Sequence, residues 1–194
     1  MVSLASTERA ALVDTARAAG PDAATLCAGW TVEDLVRHLA LRERPWLRVP
    51  QLRQRSAAGF EELLTQVSTP PLALRLVTGL DRAMNTVEYF VHHEDIRREQ
   101  PGWEIRELDP AQRAELWRSL KLLGRLLVRP AKVPVEITDG TTTLRLRGGD
   151  WPVTITGQVS ELTLYLYGRR KVRGLEFDGP RNRVAQVKHA SLGF

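Results

Sequence analysis

The apolar residues in the first two thirds of the chain recur at the three- and four-residue spacing of α-helices. Thr7 can cap a first helix, which ends at Gly20, and Thr31 can cap a second helix, which Pro45 ends. The acidic residues that follow Thr31 suit the positive end of that helix. Each helix is therefore predicted to bury one face and to expose the other.

Further helices follow toward residue 129. A short helix is predicted over residues 57–67, and a long one from Leu72 to about Glu99. Another begins at Asp109, because aspartate caps helices and the proline after it suits the first turn. That helix carries a stripe of leucines on one face: Leu116, Leu120, Leu123 and Leu127. Four main helices with one shared apolar interior predict a helix bundle.

After residue 130 the pattern changes to the alternation that is typical of β-strands. Asp139-Gly140 is a hairpin signal, and residues 158–167 fit either a strand or a helix. Short strands are predicted near 133–137, 144–146, 151–155 and 175–177, and a short helix near 182–189. We therefore predict two domains, residues 1–129 and residues 130–194.

The composition allows one substantial core, or a main domain with a small second one, since 43% of the 194 residues are hydrophobic. No apolar run approaches the roughly 18 residues that a membrane span requires. The N-terminal segment lacks the apolar core of a secretory signal, and a single cysteine, Cys27, excludes an internal disulfide. We expect a cytoplasmic protein without a membrane partner.

The net charge of +5 raises the question of a nucleic-acid partner. The basic residues are mostly arginines, and they are spread along the chain among 23 acidic residues. Nucleic-acid binders usually concentrate their charge in one patch, so a solvated arginine-rich surface is the favoured interpretation. The densest basic segment, residues 169–173, is an exception that stays open.

A polar stripe interrupts the pattern of the long helix that is predicted to end near residue 99. Asn85, Glu88, His92, Asp95 and Glu99 follow one another at spacings of 3, 4, 3 and 4, which places all five on one line. Glu88 and His92 lie one turn apart and can reach the same ion. An imidazole with a carboxylate suits zinc first. A solvent-facing polar contact is the alternative for such a pair.

A third ligand is needed, because two do not hold an ion tightly. His38 lies on another helix of the helical region, one residue before the apolar Leu39 and so at the margin of a core. His93 points about 100° away from His92, and both His93 and His189 are taken as ordinary polar residues. The residues alone thus leave a metal site and a set of plain surface contacts both open.

Two motifs resemble the DinB-like superfamily in its mycothiol-dependent maleylpyruvate isomerase branch. Residues 29–39, GWTVEDLVRHL, resemble the signature of that superfamily, and residues 88–95, EYFVHHED, are similar to the branch's Glu-x3-His-x2-Asp segment. Residues 42–45 together with 85–95 are similar to an uncharacterised metal-binding subfamily. Residues 157–169 resemble the small C-terminal domain that is often joined to such bundles.

The resemblance implies a mainly α fold: a DinB-like four-helix bundle followed by a small α/β, sterol-carrier-like C-terminal domain. It implies a metal held by His38, Glu88 and His92, and it favours a helix over residues 158–167. Relatives include thiol-dependent transferases and isomerases. The implied cofactors are therefore a divalent metal, zinc first, and a low-molecular-weight thiol such as mycothiol.

Other polar residues then have candidate roles around the ion. Asp95 can accept the free N–H of the His92 ring, or pair with Arg98 or Arg42 in a surface salt bridge. Asn85, on the same stripe, is expected to position the ligands without binding the ion itself. Arg42 can face an anionic group of the substrate, with a surface arginine as the alternative.

Two residues of the loop before the second helix are predicted to pack. For Cys27 this role is favoured over that of a nucleophile or a fourth ligand, and Trp30 is predicted to anchor the core.

Three function classes follow from these predictions. The first is a metal-dependent thiol transferase or isomerase acting on a small molecule, because three protein ligands leave an ion one open position. The second is a metal or small-molecule binding module without turnover. The third is a basic regulatory protein. Whether the chain is a monomer or a homodimer is left open.

Overall fold

A computed structural model describes residues 3–43, 57–69 and 79–193 of the chain. The chain forms two compact units, which divide between Glu104 and Ile105. The described residues of the first unit form four helices: α1 (Leu4–Ala19), α2 (Val32–Glu43), α3 (Ala57–Ser68) and α4 (Gly79–Arg97).

The capping residues explain where α1 and α2 begin. Helix α1 starts one turn earlier than predicted, because Ser3, and not Thr7, is its N-cap and accepts a hydrogen bond from the N–H of Ser6 at 3.3 Å. Thr31 caps α2 as predicted: its hydroxyl accepts from the N–H of Asp34 at 3.3 Å, and the Asp34 carboxylate accepts from the N–H of Thr31 at 3.1 Å.

The four helices of the first unit enclose one apolar core. Every helix contributes to it: Leu12, Val13, Ala16, Val32, Leu35, Val36, Leu39, Ala40, Phe60, Leu63, Leu64, Val67, Tyr89 and Ile96. The predicted bundle is confirmed, and α3 is one of its four helices. The predicted helix end at Pro45 and the predicted helix start at Leu72 lie outside the described residues.

The second unit combines three helices with one sheet among its described residues. A 3-10 turn, Arg129–Ala131, follows its first helix. The elements are α5 (Pro110–Leu127), β1 (Val135–Thr138), β2 (Thr143–Arg147), β3 (Val153–Thr156), α6 (Val159–Leu166), β4 (Glu176–Asp178) and α7 (Arg181–His189).

Helix α5 packs within the second unit, although the sequence analysis placed it in the bundle. Its start is as predicted, with Asp109 and Gln112 forming a capping box. Its leucine stripe is buried, and Gly124 lies so close to β2 that a Cβ there would stand 2.6 Å from Leu146 Cδ2. The units therefore divide earlier than the predicted limits of 1–129 and 130–194, because a buried stripe does not reveal which surface covers it.

The sheet of the second unit has the strand order β2-β1-β3-β4, with β1 parallel to β3 and the other pairs antiparallel. Every second residue of β1 and β3 is buried, as expected for a half-covered sheet. Helix α6 confirms the helical interpretation of residues 158–167 and is buried along its whole length. A mainly α chain with a small α/β unit is thus confirmed.

Among the residues described, no helix is both long enough and apolar enough to cross a lipid bilayer. The likeness of the second unit to sterol carriers stays a prediction.

Candidate metal centre

Helix α2 places His38 at the edge of the bundle core. Its neighbours Leu35 and Leu39 are fully buried, whereas the His38 side chain is 38% exposed. The Trp30 ring lies 5.2 Å from the His38 ring, centroid to centroid. Trp30 was predicted to anchor the core. It is instead partly exposed and packs beside this histidine.

Helix α4 presents Glu88 and His92 to the same point, because the two residues are one turn apart on its polar stripe. Glu88 Oε1 lies 3.3 Å from His38 Nε2 and 3.3 Å from His92 Nε2. One potential ligand atom from each of the three residues lies within 4.8 Å of the other two. The structure thus brings the three predicted ligands together.

Burial and hydrogen bonding act in opposite directions on the charges of these residues. Burial alone would raise the pKa of Glu88, but hydrogen bonds from His38 and His92 and the positive charge of Arg42 hold that pKa well below its ordinary value. Burial disfavours the charged His92 ring, yet its hydrogen bonds, that to Asp95 above all, raise the pKa of His92 well above 6.5. Without an ion, the centre therefore favours a protonated His92 beside an ionised Glu88.

The far side of the His92 ring is held by Asp95, as one of the two sequence interpretations expected. His92 Nδ1 lies 2.9 Å from Asp95 Oδ2, and Asp95 is fully buried. Arg98, the alternative partner, forms an ion pair with Glu94 at 2.6 Å. A carboxylate on Nδ1 fixes the ring so that Nε2 faces Glu88.

Cys27 also lies at this site, although a packing role was predicted for it in preference to that of a fourth ligand. Its thiol donates to Asp95 Oδ2 at 3.2 Å, and its Sγ is 3.9 Å from His92 Nδ1. The loop is tied to α4 by the N–H of Leu26, which donates to the carbonyl of Asp95 at 3.0 Å. The contact joins residues that are 68 positions apart, so no local pattern could have predicted it.

Asn85 and Arg42 form the next contact along the stripe. Arg42 Nη1 donates to Asn85 Oδ1 at 2.9 Å, and Arg42 Nε lies 3.5 Å from Glu88 Oε1. Asn85 therefore contacts Arg42, and its influence on the ligands would pass through that residue. The role of Arg42 toward an anionic substrate stays a prediction.

A second group of ligand-type atoms shares His92. The nearest atoms of Cys27, His92 and Asp95 also lie within 4.8 Å of one another. The two groups use opposite ring nitrogens of His92, since Nε2 faces Glu88 and Nδ1 faces Asp95. They differ in access, because Asp95 is fully buried whereas the side chains of His38 and Glu88 are 38% and 22% exposed.

Two buried polar networks in the bundle were not predicted. His93, taken as an ordinary polar residue, is buried with its Nδ1 2.7 Å from Glu8 Oε2 and its Nε2 2.9 Å from the Thr15 hydroxyl. Arg9 forms a bidentate ion pair with Glu43. The Tyr89 hydroxyl also donates a hydrogen bond to the Glu43 carboxylate, at 2.7 Å. The first network thus consists of Glu8, Thr15 and His93, and the second of Arg9, Glu43 and Tyr89.

Comparisons with known proteins agree with this architecture. Residues 2–66 match the family model of the mycothiol maleylpyruvate isomerase N-terminal domain. The crystal structure of the mycothiol-dependent maleylpyruvate isomerase has the same fold, with a TM-score of 0.56 and 13% identity over 90% of each chain. A histidine-to-alanine mutant of the mycothiol-dependent maleylpyruvate isomerase gives a TM-score of 0.55 and 14% identity, again over 90% of each chain.

No curated protein matches the chain in sequence. The two crystal structures are too distant in sequence to carry more than the fold, whereas the family model covers the segment that includes α1, α2 and His38. Residues 2–66 are thus similar to the mycothiol maleylpyruvate isomerase N-terminal domain, and the chain as a whole shares the fold of the mycothiol-dependent maleylpyruvate isomerase.

Proposed function

We propose that the chain is a metal-dependent enzyme that transfers or uses a low-molecular-weight thiol to convert a small molecule, as a transferase or an isomerase. The ion would be divalent, zinc first, and held by His38, Glu88 and His92. The observation that carries the proposal is the convergence of these three side chains, from two helices, on one point.

The spacing of the ligand atoms supports an ion at this point. Two ligands that are each about 2.0–2.1 Å from a tetrahedral zinc stand roughly 3.4 Å apart. Each ring Nε2 lies 3.3 Å from Glu88 Oε1, close to that value and longer than the roughly 2.9 Å of a good N–H···O hydrogen bond. Two imidazoles and one carboxylate also form a donor set that zinc accepts.

The number of ligands favours chemistry over a purely structural role. Structural zinc sites normally use four protein ligands, whereas three leave one position open. A divalent ion with such a position lowers the pKa of a thiol or water that binds there. The 38% exposure of the His38 side chain is consistent with access for a small molecule.

The surrounding residues of this chain would orient the reaction. Asp95 keeps the Nδ1 of His92 hydrogen-bonded, so that Nε2 stays directed toward the ion. Asn85 holds the Arg42 guanidinium next to Glu88, where it can bind an anionic group of a substrate. The similar enzyme is named for mycothiol and maleylpyruvate; for this chain, mycothiol is proposed as the thiol, and a small electrophile as the class of substrate.

The first experiment measures metal content in protein purified without a metal-affinity tag. We expect one divalent ion per chain, lost in His38→Ala and Glu88→Gln while circular dichroism shows an intact fold. His189→Ala is the matched control, since His189 is an exposed histidine of the second unit and its loss should leave the metal content unchanged. Metal-free wild-type protein would refute the proposal.

The second experiment screens mycothiol and other thiols with electrophilic small molecules. Turnover that disappears in His38→Ala and Glu88→Gln supports the enzyme. A bound ion with no turnover by any thiol would instead support a binding module without catalysis. Salt-sensitive binding to nucleic acid in place of turnover would support the basic regulatory protein.

A further inference from the structure

The second unit contains a cavity of about 260 Å³. It is lined by residues from the start of α5, from the β1–β2 turn and from the start of α6, among them Arg113, Asp139 and Ser160. Pockets for drug-sized ligands have volumes of roughly 300–1,000 Å³, so this cavity fits a ligand of only a few heavy atoms.

The start of α6 leaves backbone donors without acceptors at this cavity. Gln158, the N-cap, makes no side-chain capping hydrogen bond. Within the part of the chain that the structure describes, the N–H groups of Val159 and Ser160 have no acceptor. The first N–H groups of a helix carry its partial positive charge and form a natural site for an anion.

Ser160 is an independent sign of a ligand. The residue is only 4% exposed, and its hydroxyl has no hydrogen-bond partner among the residues described. Ser160 nevertheless lines the cavity. Hydroxyl groups of largely buried residues are usually hydrogen-bonded, so the Ser160 hydroxyl, on a residue that lines the cavity, points to a partner inside it.

Arg113 adds a positive side chain to the same wall. Its Nη1 donates to the carbonyl of Leu108 at 2.6 Å, which fixes the guanidinium at the cavity. No acceptor among the described residues takes up its remaining N–H groups. A guanidinium with free N–H groups beside a helix N-terminus is suited to a carboxylate.

The cavity also has an acidic side. Glu107 and Asp139 line it, and Asp139 is ionised at neutral pH. Burial alone would raise the pKa of Asp139, but hydrogen bonds from the N–H groups of Thr142 and Thr141 and from the Trp117 ring lower it. A bare anion would be repelled by these two carboxylates, whereas a cationic group would be attracted to them.

We propose that this cavity binds a small amino-carboxylate, a zwitterion of amino-acid size. Its carboxylate lies at the start of α6, against the Ser160 hydroxyl and the Arg113 guanidinium. Its ammonium group faces Glu107 and Asp139. The proposal does not depend on the metal centre, because all the residues it uses belong to the second unit.

The test is an NMR titration of the full chain with three matched probes at equal ionic strength. L-Alanine carries both charged groups, propionate lacks the ammonium group, and ethylammonium lacks the carboxylate. We expect L-alanine to shift the amide signals of Val159 and Ser160 saturably and to bind at least about tenfold more tightly than either other probe, since each lost charged contact costs about that factor. Equal affinity for propionate and L-alanine, or no saturable shift with any probe, would overturn the proposal.

Variants locate the two ends of the ligand. Ser160→Ala and Arg113→Gln should each weaken L-alanine binding about tenfold. Arg118→Gln is the matched control, because Arg118 is exposed on the same helix, donates to the carbonyl of Ala114 and does not line this cavity. Unchanged affinity in both Ser160→Ala and Arg113→Gln would overturn the proposed carboxylate position.

Discussion

The interiors of the two units differ in how much charge they contain. Among the described residues, the first unit buries many ionisable side chains: Glu8, Arg9, Glu33, Glu43, His92, His93, Glu94, Asp95 and Arg98. In the described part of the second unit, Glu161 is the one buried acidic or basic side chain, and the other buried residues are apolar residues, tyrosine, serine and threonine. Burying a charge without a partner costs free energy of unfolding. The stability of the first unit therefore requires each buried charge to keep its partner.

This difference indicates where each unit is most easily damaged. In the bundle, removing one member of a buried pair leaves the other charged and desolvated. In the second unit, stability depends on close packing and on turns with special backbone angles. The candidate metal centre belongs to the charged interior, since His92 and Asp95 are two of the buried ionisable residues there.

The largest effect should come from the Arg9–Glu43 ion pair. Arg9→Met keeps most of the side-chain volume but leaves the buried Glu43 carboxylate without its cation, so we expect a loss of about 3–5 kcal/mol in the free energy of unfolding. Arg17→Met, which breaks an exposed pair with Glu61, should cost less than about 1 kcal/mol. Denaturant unfolding measures both, and equal losses would show that burial of charge does not distinguish the bundle.

The next effect tests packing in the second unit at Gly168. This glycine has a φ of +82°, and a Cβ there would stand 2.7 Å from the carbonyl oxygen of Leu192. Gly168→Ala should therefore cost about 1–3 kcal/mol, from backbone strain and overpacking together. Gly174→Ala is the matched control: its φ is +66° but nothing lies within 4 Å, so only the strain of about 1 kcal/mol is expected. A Gly174→Ala variant that loses as much as Gly168→Ala would contradict the packing argument.

Local sequence signals predicted much of the fold. The capping residues Thr31 and Asp109 mark helix starts because their hydrogen bonds lie within a few residues, and the spacing of Glu88 and His92 fixes their common face. The sequence could not predict which unit α5 packs in, because the leucine stripe of α5 could pack against any apolar surface. The Cys27–Asp95 contact was missed for the same reason: it depends on tertiary packing between distant segments.

A smaller effect is expected from Asp95, which connects the charged interior to the metal centre. Asp95→Asn removes the charge that orients His92 Nδ1 but keeps the size of the side chain, so zinc affinity should fall about 10- to 100-fold. Cys27→Ser, which keeps a donor toward Asp95, should change the affinity much less. Competition with a chromophoric chelator measures both, and an unchanged affinity in Asp95→Asn would separate this carboxylate from the metal centre.

The smallest effect is the pH dependence of zinc binding, and its sign follows from the two shifted pKa values. A raised pKa of His92 gives the metal-free protein stability below 6.5 that is lost as the pH rises through the raised value. A lowered pKa of Glu88 gives stability above 4.5 that is lost as the pH falls through the lowered value. At pH values between the lowered pKa of Glu88 and the raised pKa of His92, the metal-free protein holds a proton on His92. Zinc must displace this proton, because only the neutral ring binds a metal.

Zinc affinity should therefore rise about tenfold per pH unit until the pH reaches the raised pKa of His92, and then level off. Calorimetry in two buffers with different ionisation enthalpies should count about one proton released per ion at neutral pH. Asp95→Asn supplies the comparison, because it removes the hydrogen bond that contributes most to raising the pKa of His92, so fewer protons should be released. Equal proton release in both proteins would show that the buried carboxylate does not set the charge of the ring, and that the ionic interior of the bundle acts on the metal centre in some other way.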